Sequence, residues 1–397
     1  MIPLEEARDY VLSLTDRLDV CQVDLGTALG LVLADRIVAD ELVPPFANTA
    51  MDGFAVRAAD TSEGARLRIV GTVAAGSHFE GILGDGEAVR IMTGAPVPDG
   101  ADAIVMVELT EVDVDHVVLR RSVPVGNHVR PAGDDMSPGD VVLEPGTEIT
   151  PGVLGVLATL GRADVDVVRR PRVGVLSTGD ELVDGPGPLG VGQIRDSNRR
   201  AVLALVSELG ADAVDLGLVP DHEASIEAAL LGGAAECDLL LSTGGVSMGD
   251  FDFVKVVLDR IGEMRWMQVA IRPAKPLAVG RVGATPIIGL PGNPVSSMIS
   301  FELFARPAIR ALGGHRRLDR PRVVAIASED IGRAPDGKVH FVRAVLDQGA
   351  DDRWSVRPLR GQGSHHTASM AVASGLVVLP DGEGARAGDE VAVIPIG

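Results

Sequence analysis

The residues of this 397-residue chain best suited to chemistry gather in a few glycine-punctuated segments. One reads Leu176-Ser177-Thr178-Gly179-Asp180-Glu181-Leu182, and another Leu241-Ser242-Thr243-Gly244-Gly245-Val246-Ser247-Met248-Gly249-Asp250. Glycines let the backbone approach a ligand, amide N–H groups and hydroxyls can donate to phosphate oxygens, and a following helix N-terminus favours an anion. The carboxylates Asp180, Glu181, Asp250 and Asp252 would repel a phosphate unless a hard divalent cation stood between, so Mg²⁺ is the economical expectation. A third segment, Gly289-Leu290-Pro291-Gly292-Asn293-Pro294-Val295-Ser296, has its shape fixed by two prolines just before a helix. A fourth, Ile271-Arg272-Pro273-Ala274-Lys275-Pro276, sets two cations between prolines, which suits an oxyanion. Taken singly, each equally suits an ordinary turn or helix cap with solvated charges. Two of the glycine-rich kind at one sheet edge favour a ligand site.

Elements must bring these segments together. Between about Arg172 and Gly314, short β-branched or Leu-rich runs alternate with runs of helical period. Strands are expected at 173–176, 214–219, 238–241 and 287–290, and helices at 199–209, 223–235, 251–261 and 295–312. The first of these helices has Ser197 or Asn198 as its cap and Gly210 as its stop. Successive βα units of this kind form a mostly parallel sheet, and ligands bind outside the carboxyl ends of its strands. Leu4, Ala7, Val11, Leu14 and Leu18 recur at helical spacing, which predicts an amphipathic N-terminal helix. Residues 46–136 are rich in Gly, Pro and Val, as befits strands and turns, and residues 320–397 carry four or five strand-like runs that suggest a small barrel or sandwich. The fold class is therefore multidomain: a central α/β domain, a β-rich inserted domain and a C-terminal β-barrel-like domain.

Composition narrows the partners. A formal charge of −20 disfavours nucleic acid and anionic membranes, and the short basic runs Arg199-Arg200 and His315-Arg316-Arg317 read as solvated surface. The only cysteines, Cys21 and Cys237, lack metal-ligand spacing and fit a reducing compartment, so a cytoplasmic location is expected. No stretch approaches the roughly 20 apolar residues that cross a bilayer.

The same segments carry a family resemblance. STGDEL at 177–182, TGGVSMGDFDFVK at 243–255 and GLPGNPVS at 289–296 resemble the central domain of molybdopterin molybdenumtransferases, the family of the bacterial MoeA proteins and the gephyrin E-domain. PPFANTAMDGFA at 44–55, RIMTGAPVPDGADAIV at 90–105, NHVRPAGDDM at 127–136, GQIRDSN at 192–198 and GSHHTASMAVASGLVVLP at 363–380 extend the likeness over nearly the whole chain, in the family's order. The resemblance implies an α/β catalytic domain from 1–19 and 171–319, a linker and dimerisation domain from 20–45 and 137–170, a β-rich domain at 46–136 and a C-terminal barrel at 320–397. It implies a homodimer in which Asp52 acts across the subunit interface, and a Mg²⁺-dependent reaction in which molybdate is joined to adenylylated molybdopterin and AMP is released. A pterin adenylyltransferase and apo-molybdoenzymes are the further partners it suggests.

The family's acidic positions fall on Asp52, Asp135, Glu181, Asp221 and Asp252, with Glu181, Asp221 and Asp252 as the Mg²⁺ set; Asp134 is the alternative to Asp135. Substrate contacts fall on Thr178, Gly179, Asp180, Ser197, Thr243, Gly244, Gly245 and Ser247, with Pro291 and Pro294 shaping their loop. Arg272, Lys275 and Ser296, joined by Arg343 and Ser369, would hold molybdate. Three positions depart from the family: Ala274 where Gly is usual, Arg272 where Lys is common, and Arg195 where an aromatic is common. His365 and His366 read as loop residues. Two other readings stay open: a scaffold relative that binds molybdopterin without catalysis, and the related pterin adenylyltransferase, which generally lacks the extra β-rich regions.

Overall fold

The Val-, Leu- and Ile-rich runs of the second half of the chain become strands because helices cover both their faces, leaving no side for polar alternation. The structure, a computed structural model, describes residues 1–244, 253–349 and 352–396. The central sheet contains β1 (Arg172–Thr178), β2 (Asp212–Val219), β3 (Leu239–Thr243), β4 (Gly262–Gln268), β5 (Pro276–Val282) and β6 (Thr285–Leu290). Their order is β2-β1-β3-β6-β5-β4; the first four are parallel and the last two antiparallel. β4 and β5 are an addition to the expected elements. Helix α1 (Asn198–Glu208) packs on one face with the N-terminal helix Leu4–Leu12, sharing a core with Val173, Val175, Leu239 and Ile288. Helices α2 (Glu223–Glu236) and α3 (Phe253–Ile261) cover the other face over Leu176, Leu240 and Ile287. The expected start of α3 at Phe251 lies outside the described residues.

Three local expectations need correction. The N-terminal helix stops at Leu12, because the Ser13 and Thr15 hydroxyls donate to the Tyr10 and Leu12 carbonyls and compete with the helical ladder. Leu14 and Leu18 still pack on the same core, but from outside the helix. The helix expected over 295–312 is three pieces: α4 (Pro294–Ser300), a π-helical turn at Phe301–Ala305, and α5 (Arg306–Leu312). Pro307 has no N–H to give the Leu303 carbonyl, and that carbonyl accepts instead from Arg8 Nη1 at 3.0 Å. Ser197 makes no side-chain cap on α1; Asp196 does, its Oδ1 accepting from the Arg199 amide at 3.1 Å.

The chain divides into two compact units, one of Met1–Ala34, Gly146–Thr150 and Asp164–Gly397, the other of Asp35–Pro145 and Pro151–Ala163. Besides the α/β sheet, the first unit pairs Val20–Asp24 with Asp164–Val168 and ends in a closed five-stranded barrel. Its strands run Val339–Gln348, Trp354–Pro358, Val323–Ala327, Glu390–Pro395 and Gly375–Leu379, the last pairing back to the first, which removes exposed edges. The second unit is a six-stranded sheet in the order Ala103–Met106, Gly53–Val56, Glu87–Ile91, Arg66–Val73, His116–Leu119, Thr110–Asp113. Its two faces bury Phe54, Val105 and Leu119 on one side and Ile91, Ile104 and Val73 on the other. No described helix is long and apolar enough to cross a membrane.

Candidate functional site

The parallel strands β1, β3 and β6 end side by side, so their loops face one region. A cleft of about 80 Å³ lies there, lined by Thr178, Glu181, Leu182, Ile194, Arg195, Asp196, Ser197, Asn198, Thr243, Gly244, Gly292 and Pro294. The sequence thus brings together Thr178, Glu181, Ser197, Thr243, Gly244 and Pro294 of its expected set. Gly244 has φ +88, and a Cβ built there would stand 3.0 Å from the Thr178 carbonyl oxygen, so both the conformation and the close approach require glycine. Gly179, at φ +147, requires glycine as well, since a Cβ there would stand 2.6 Å from the Glu181 carboxylate. Pro291 is buried beside Gly292, whose carbonyl accepts from Asn198 Nδ2 at 2.7 Å. Gly245, Ser247 and Asp252 lie outside the described residues.

Beneath the cleft is a polar cluster that the sequence disguises. Arg199 is 2% exposed, whereas its neighbour Arg200 is exposed, so the Arg199-Arg200 pair is not the solvated surface its composition suggests. Arg199 Nε donates to Asp196 Oδ2 at 2.9 Å, Nη1 to Asp215 at 2.5 Å and Nη2 to Asp184 Oδ2 at 2.6 Å. Burial alone would lower the Arg199 pKa, but the hydrogen bonds to Asp215, Asp196 and Asp184 outweigh it and hold the pKa above the usual arginine value. Asp196 in turn accepts from Ser177 Oγ at 3.1 Å, and Ser177 meets Thr243 Oγ1 at 2.9 Å across the β1–β3 register. The only hint in sequence is the acidic residue just before a helix, three positions ahead of an arginine on the same turn. Arg195 donates to the Gly185 and Gly187 carbonyls, so its departure from the family pattern is used to hold a neighbouring loop.

Beside the cleft, Asp180 and Glu181 are exposed at the end of β1, and Asp180 Oδ1 accepts from the Asp221 amide at 3.2 Å. The Asp221 carboxyl is held above its ordinary pKa, first by burial and then by the charges of Asp180 and Glu181. Among the described residues no three His, Cys, Asp or Glu side chains form a ready metal centre. In the second unit, Asp52 Oδ1 accepts from both the Thr93 amide and the Thr93 hydroxyl at 2.7 Å, which holds its pKa below the usual carboxylate value. Asp135 and Asp134 are exposed there, with the Asp135 amide donating to the Val43 carbonyl at 2.9 Å.

The candidate oxyanion residues separate by burial. Arg272 and Lys275 are exposed; Arg272 ends a short Ile271–Arg272 strand that pairs with Val339–His340 of the barrel, and Lys275 stands just before β5. Between them Ala274 has φ +72, a left-handed conformation that glycine adopts without strain. Arg343, by contrast, is 1% exposed with no carboxylate partner among the described residues. Its Nη2 donates to the Gly361 and Gly363 carbonyls at 3.0 and 3.2 Å, while Nε and Nη1 are buried without a hydrogen-bond partner among the described residues. Burial holds its pKa below the usual arginine value. The same loop caps α4: the Val295 amide donates to the Ser364 carbonyl at 3.1 Å, one residue before the buried Ser296. Ser369 is buried as well and donates to the His366 carbonyl at 2.6 Å. His365 and His366 stack edge to face, and His366 Nδ1 contacts the Gly361 carbonyl, which keeps both in the loop.

Comparison with known proteins agrees with this layout. Residues 2–161 match the family described as the MoeA N-terminal region (domain I and II), residues 174–311 a probable molybdopterin binding domain, and residues 325–396 the MoeA C-terminal region (domain IV). A molybdopterin molybdenumtransferase of Haemophilus influenzae is 37% identical over 399 residues, covering 100% of this chain and 98% of the relative. Molybdopterin molybdenumtransferase 2 of Mycobacterium tuberculosis is 41% identical over 370 residues, 90% of each chain. A crystal structure of the molybdopterin biosynthesis MoeA protein of Pyrococcus horikoshii superimposes with a TM-score of 0.86 at 28% identity, over 100% of both chains. The chain belongs to the molybdopterin molybdenumtransferase family.

Proposed function

We propose that this protein joins molybdate to adenylylated molybdopterin in the last steps of molybdenum cofactor synthesis, with release of AMP. Membership of an enzyme family named for molybdenum transfer makes it an enzyme of that pathway. The observation that carries the proposal is Arg343: a guanidinium 1% exposed, without a carboxylate among the described residues and with two nitrogens unpaired among them, is costly unless an anion completes it. Molybdate supplies a tetrahedral dianion of the right chemistry, and the Ser296 and Ser369 hydroxyls with the exposed cations Arg272 and Lys275 are the other groups that would receive it.

The pterin adenylate occupies the loops after β1, β3 and β6, where Thr178, Gly179, Asp180, Ser197, Thr243, Gly244, Gly245 and Ser247 contact it and Pro291 and Pro294 fix the loop. Mg²⁺ suits the acidic edge: the Asp221 carboxyl already stands against Asp180 and Glu181, and a divalent cation would relieve that repulsion. Glu181, Asp221 and Asp252 would hold it, and when bound it offsets the charge of the diphosphate link. Asp52 and Asp135 complete the acidic set, with Asp52 acting from the second subunit of a homodimer in the cytoplasm.

The test incubates purified protein with adenylylated molybdopterin, Mg²⁺ and molybdate, and follows AMP release and reconstitution of an apo-molybdoenzyme. Both are expected with the native chain and lost in Glu181→Ala and Asp52→Ala. Binding of the adenylate without either product would make the chain a scaffold relative. ATP-dependent adenylylation of molybdopterin would make it the adenylyltransferase.

A further inference from the structure

The barrel strand that carries Arg343 loses its neighbour just where that residue stands. Val339–Gln348 pairs with Trp354–Pro358 only as far as Ala344 opposite Pro358, where the second strand ends. The next residue, Arg343, turns its N–H and C=O to the vacated side, and a side chain meets them. Gln362 Oε1 accepts from the Arg343 amide at 3.1 Å, and Gln362 Nε2 donates to the Arg343 and Leu359 carbonyls, both at 2.8 Å. The Leu359 amide adds a further bond to the Arg343 carbonyl at 2.9 Å. Carbonyls can only accept, so the carboxamide is fixed one way round. It serves as the peptide group that a continued strand would have supplied.

Gln362 also stands between the two residues that hold the Arg343 head group. Gly361 and Gly363 give their carbonyls to Arg343 Nη2, and the Gly361 carbonyl takes a second donor, His366 Nδ1, at 2.9 Å. Gly361 lies at φ +76, and a Cβ there would stand 2.5 Å from His366 Nδ1, so the loop is tight at this point. One short loop therefore binds Arg343 twice, by its main chain through Gln362 and by its guanidinium through the flanking glycines. The edge left over, Nε and Nη1, is held in one direction. A fixed pair of N–H groups receives an oxyanion without the entropy cost of ordering a long side chain. Sulfate and molybdate are both tetrahedral dianions and differ in size, so only donors held in place can tell them apart.

We propose that Gln362 is a positioning residue for oxyanion binding and that, by fixing the loop around Arg343, it sets the preference for molybdate over sulfate. Its three hydrogen bonds all go to main-chain groups, so it acts through Arg343 and not on the anion. This rests on molybdate as the ligand of Arg343, and the test keeps the two claims apart.

Binding of molybdate and of sulfate is measured by calorimetry for the native chain, Gln362→Ala, Gln362→Glu and Arg343→Met. The native chain is expected to prefer molybdate. Gln362→Ala should weaken molybdate about tenfold, the worth of one hydrogen bond, and sulfate less, so that the ratio of the two falls toward one. Its KM for molybdate should rise while its KM for the adenylate stays unchanged. Gln362→Glu keeps the size of the side chain but sets a carboxylate oxygen against two carbonyls, and it should lose at least as much molybdate affinity. Because Gln362 is exposed, both variants are expected to fold, and the glutamate variant carries the comparison if the alanine variant does not. A barrel that is merely loosened would weaken both anions alike, so an unchanged ratio overturns the proposal. Equal affinity of the native chain for the two anions overturns it too. Molybdate binding that is lost in Arg343→Met yet equal to native in both Gln362 variants removes the positioning role alone. A native chain that binds no molybdate, or an Arg343→Met variant that binds it as well as the native chain, removes Arg343 as the oxyanion residue.

Discussion

Replacing Arg343 by methionine should make the ligand-free protein more stable while abolishing its response to molybdate. The guanidinium leaves Nε and Nη1 buried and unpaired, and relief of two such donors is worth about 1–3 kcal/mol each. Against this, the hydrogen bonds to Gly361 and Gly363 are lost, at about 1.5–3 kcal/mol each for a charged donor. These contributions nearly offset. The sign is then set by the desolvation of a charge that no carboxylate among the described residues neutralises, whose removal favours the variant. Urea unfolding followed by tryptophan fluorescence reports the right unit, since Trp266 and Trp354 both belong to the first one. Native protein should gain about 2.7 kcal/mol at molybdate a hundredfold above its dissociation constant, and Arg343→Met none. A variant at least 2 kcal/mol less stable than the native chain by this assay (about half a typical cavity penalty), still protected by molybdate, would refute the reasoning.

Three further outcomes follow from the same geometry. Gly244→Ala puts a Cβ 3.0 Å from the Thr178 carbonyl at φ +88, so it should cost about 1–2 kcal/mol in urea unfolding and raise the KM for the adenylate more than it lowers kcat. Ala274→Gly releases a non-glycine residue from φ +72; after the loss of one buried methyl it should raise the unfolding free energy by up to about 1 kcal/mol, and a lowered urea midpoint would show that the turn is not strained. His315, with Glu148 3.1 Å from its Nδ1, has its pKa lowered by burial first and by the Arg310 charge second. The unfolded chain then binds the proton first, so stability present above about pH 6.5 is lost as pH falls through the folded value. His340 shifts in the same direction, also mainly by burial. His315→Asn should therefore lose less stability between about pH 7.5 and 5.5 than the native chain, and equal losses would remove this histidine as the cause.

Much of the fold was legible because its signals are local. Alternating apolar runs and helical periods marked β1, β2, β3, β6, α1 and α2 within a residue or two, and glycine and proline placed the loops that meet at the strand ends. Part of what was missed depends on partners distant in sequence. The break at Phe301–Ala305 needs both Pro307 and an arginine from the opposite end of the chain, whereas the end of the N-terminal helix was a local signal, the Ser13 and Thr15 hydroxyls, outvoted by the apolar period that runs on to Leu18. β4 escaped because its side chains mix polar and apolar types at the sheet edge, and β5 because its apolar run is interrupted by Pro276 and Gly280.

By itself, then, the sequence determined the α/β alternation, the glycine- and proline-shaped loops and the inventory of acids, hydroxyls and cations, because each is carried by residues within a turn or a strand of one another. Tertiary structure decided which of them are buried and what they touch. Arg199 and Arg200 are adjacent arginines, yet one is enclosed by Asp184, Asp196 and Asp215 and the other faces solvent. Arg343 reads as one more arginine in a strand until the closed barrel buries it without a counter-charge. Burial and hydrogen-bond direction arise from contacts between segments far apart in the chain, and those contacts turn a list of polar residues into a site with a sign and an orientation.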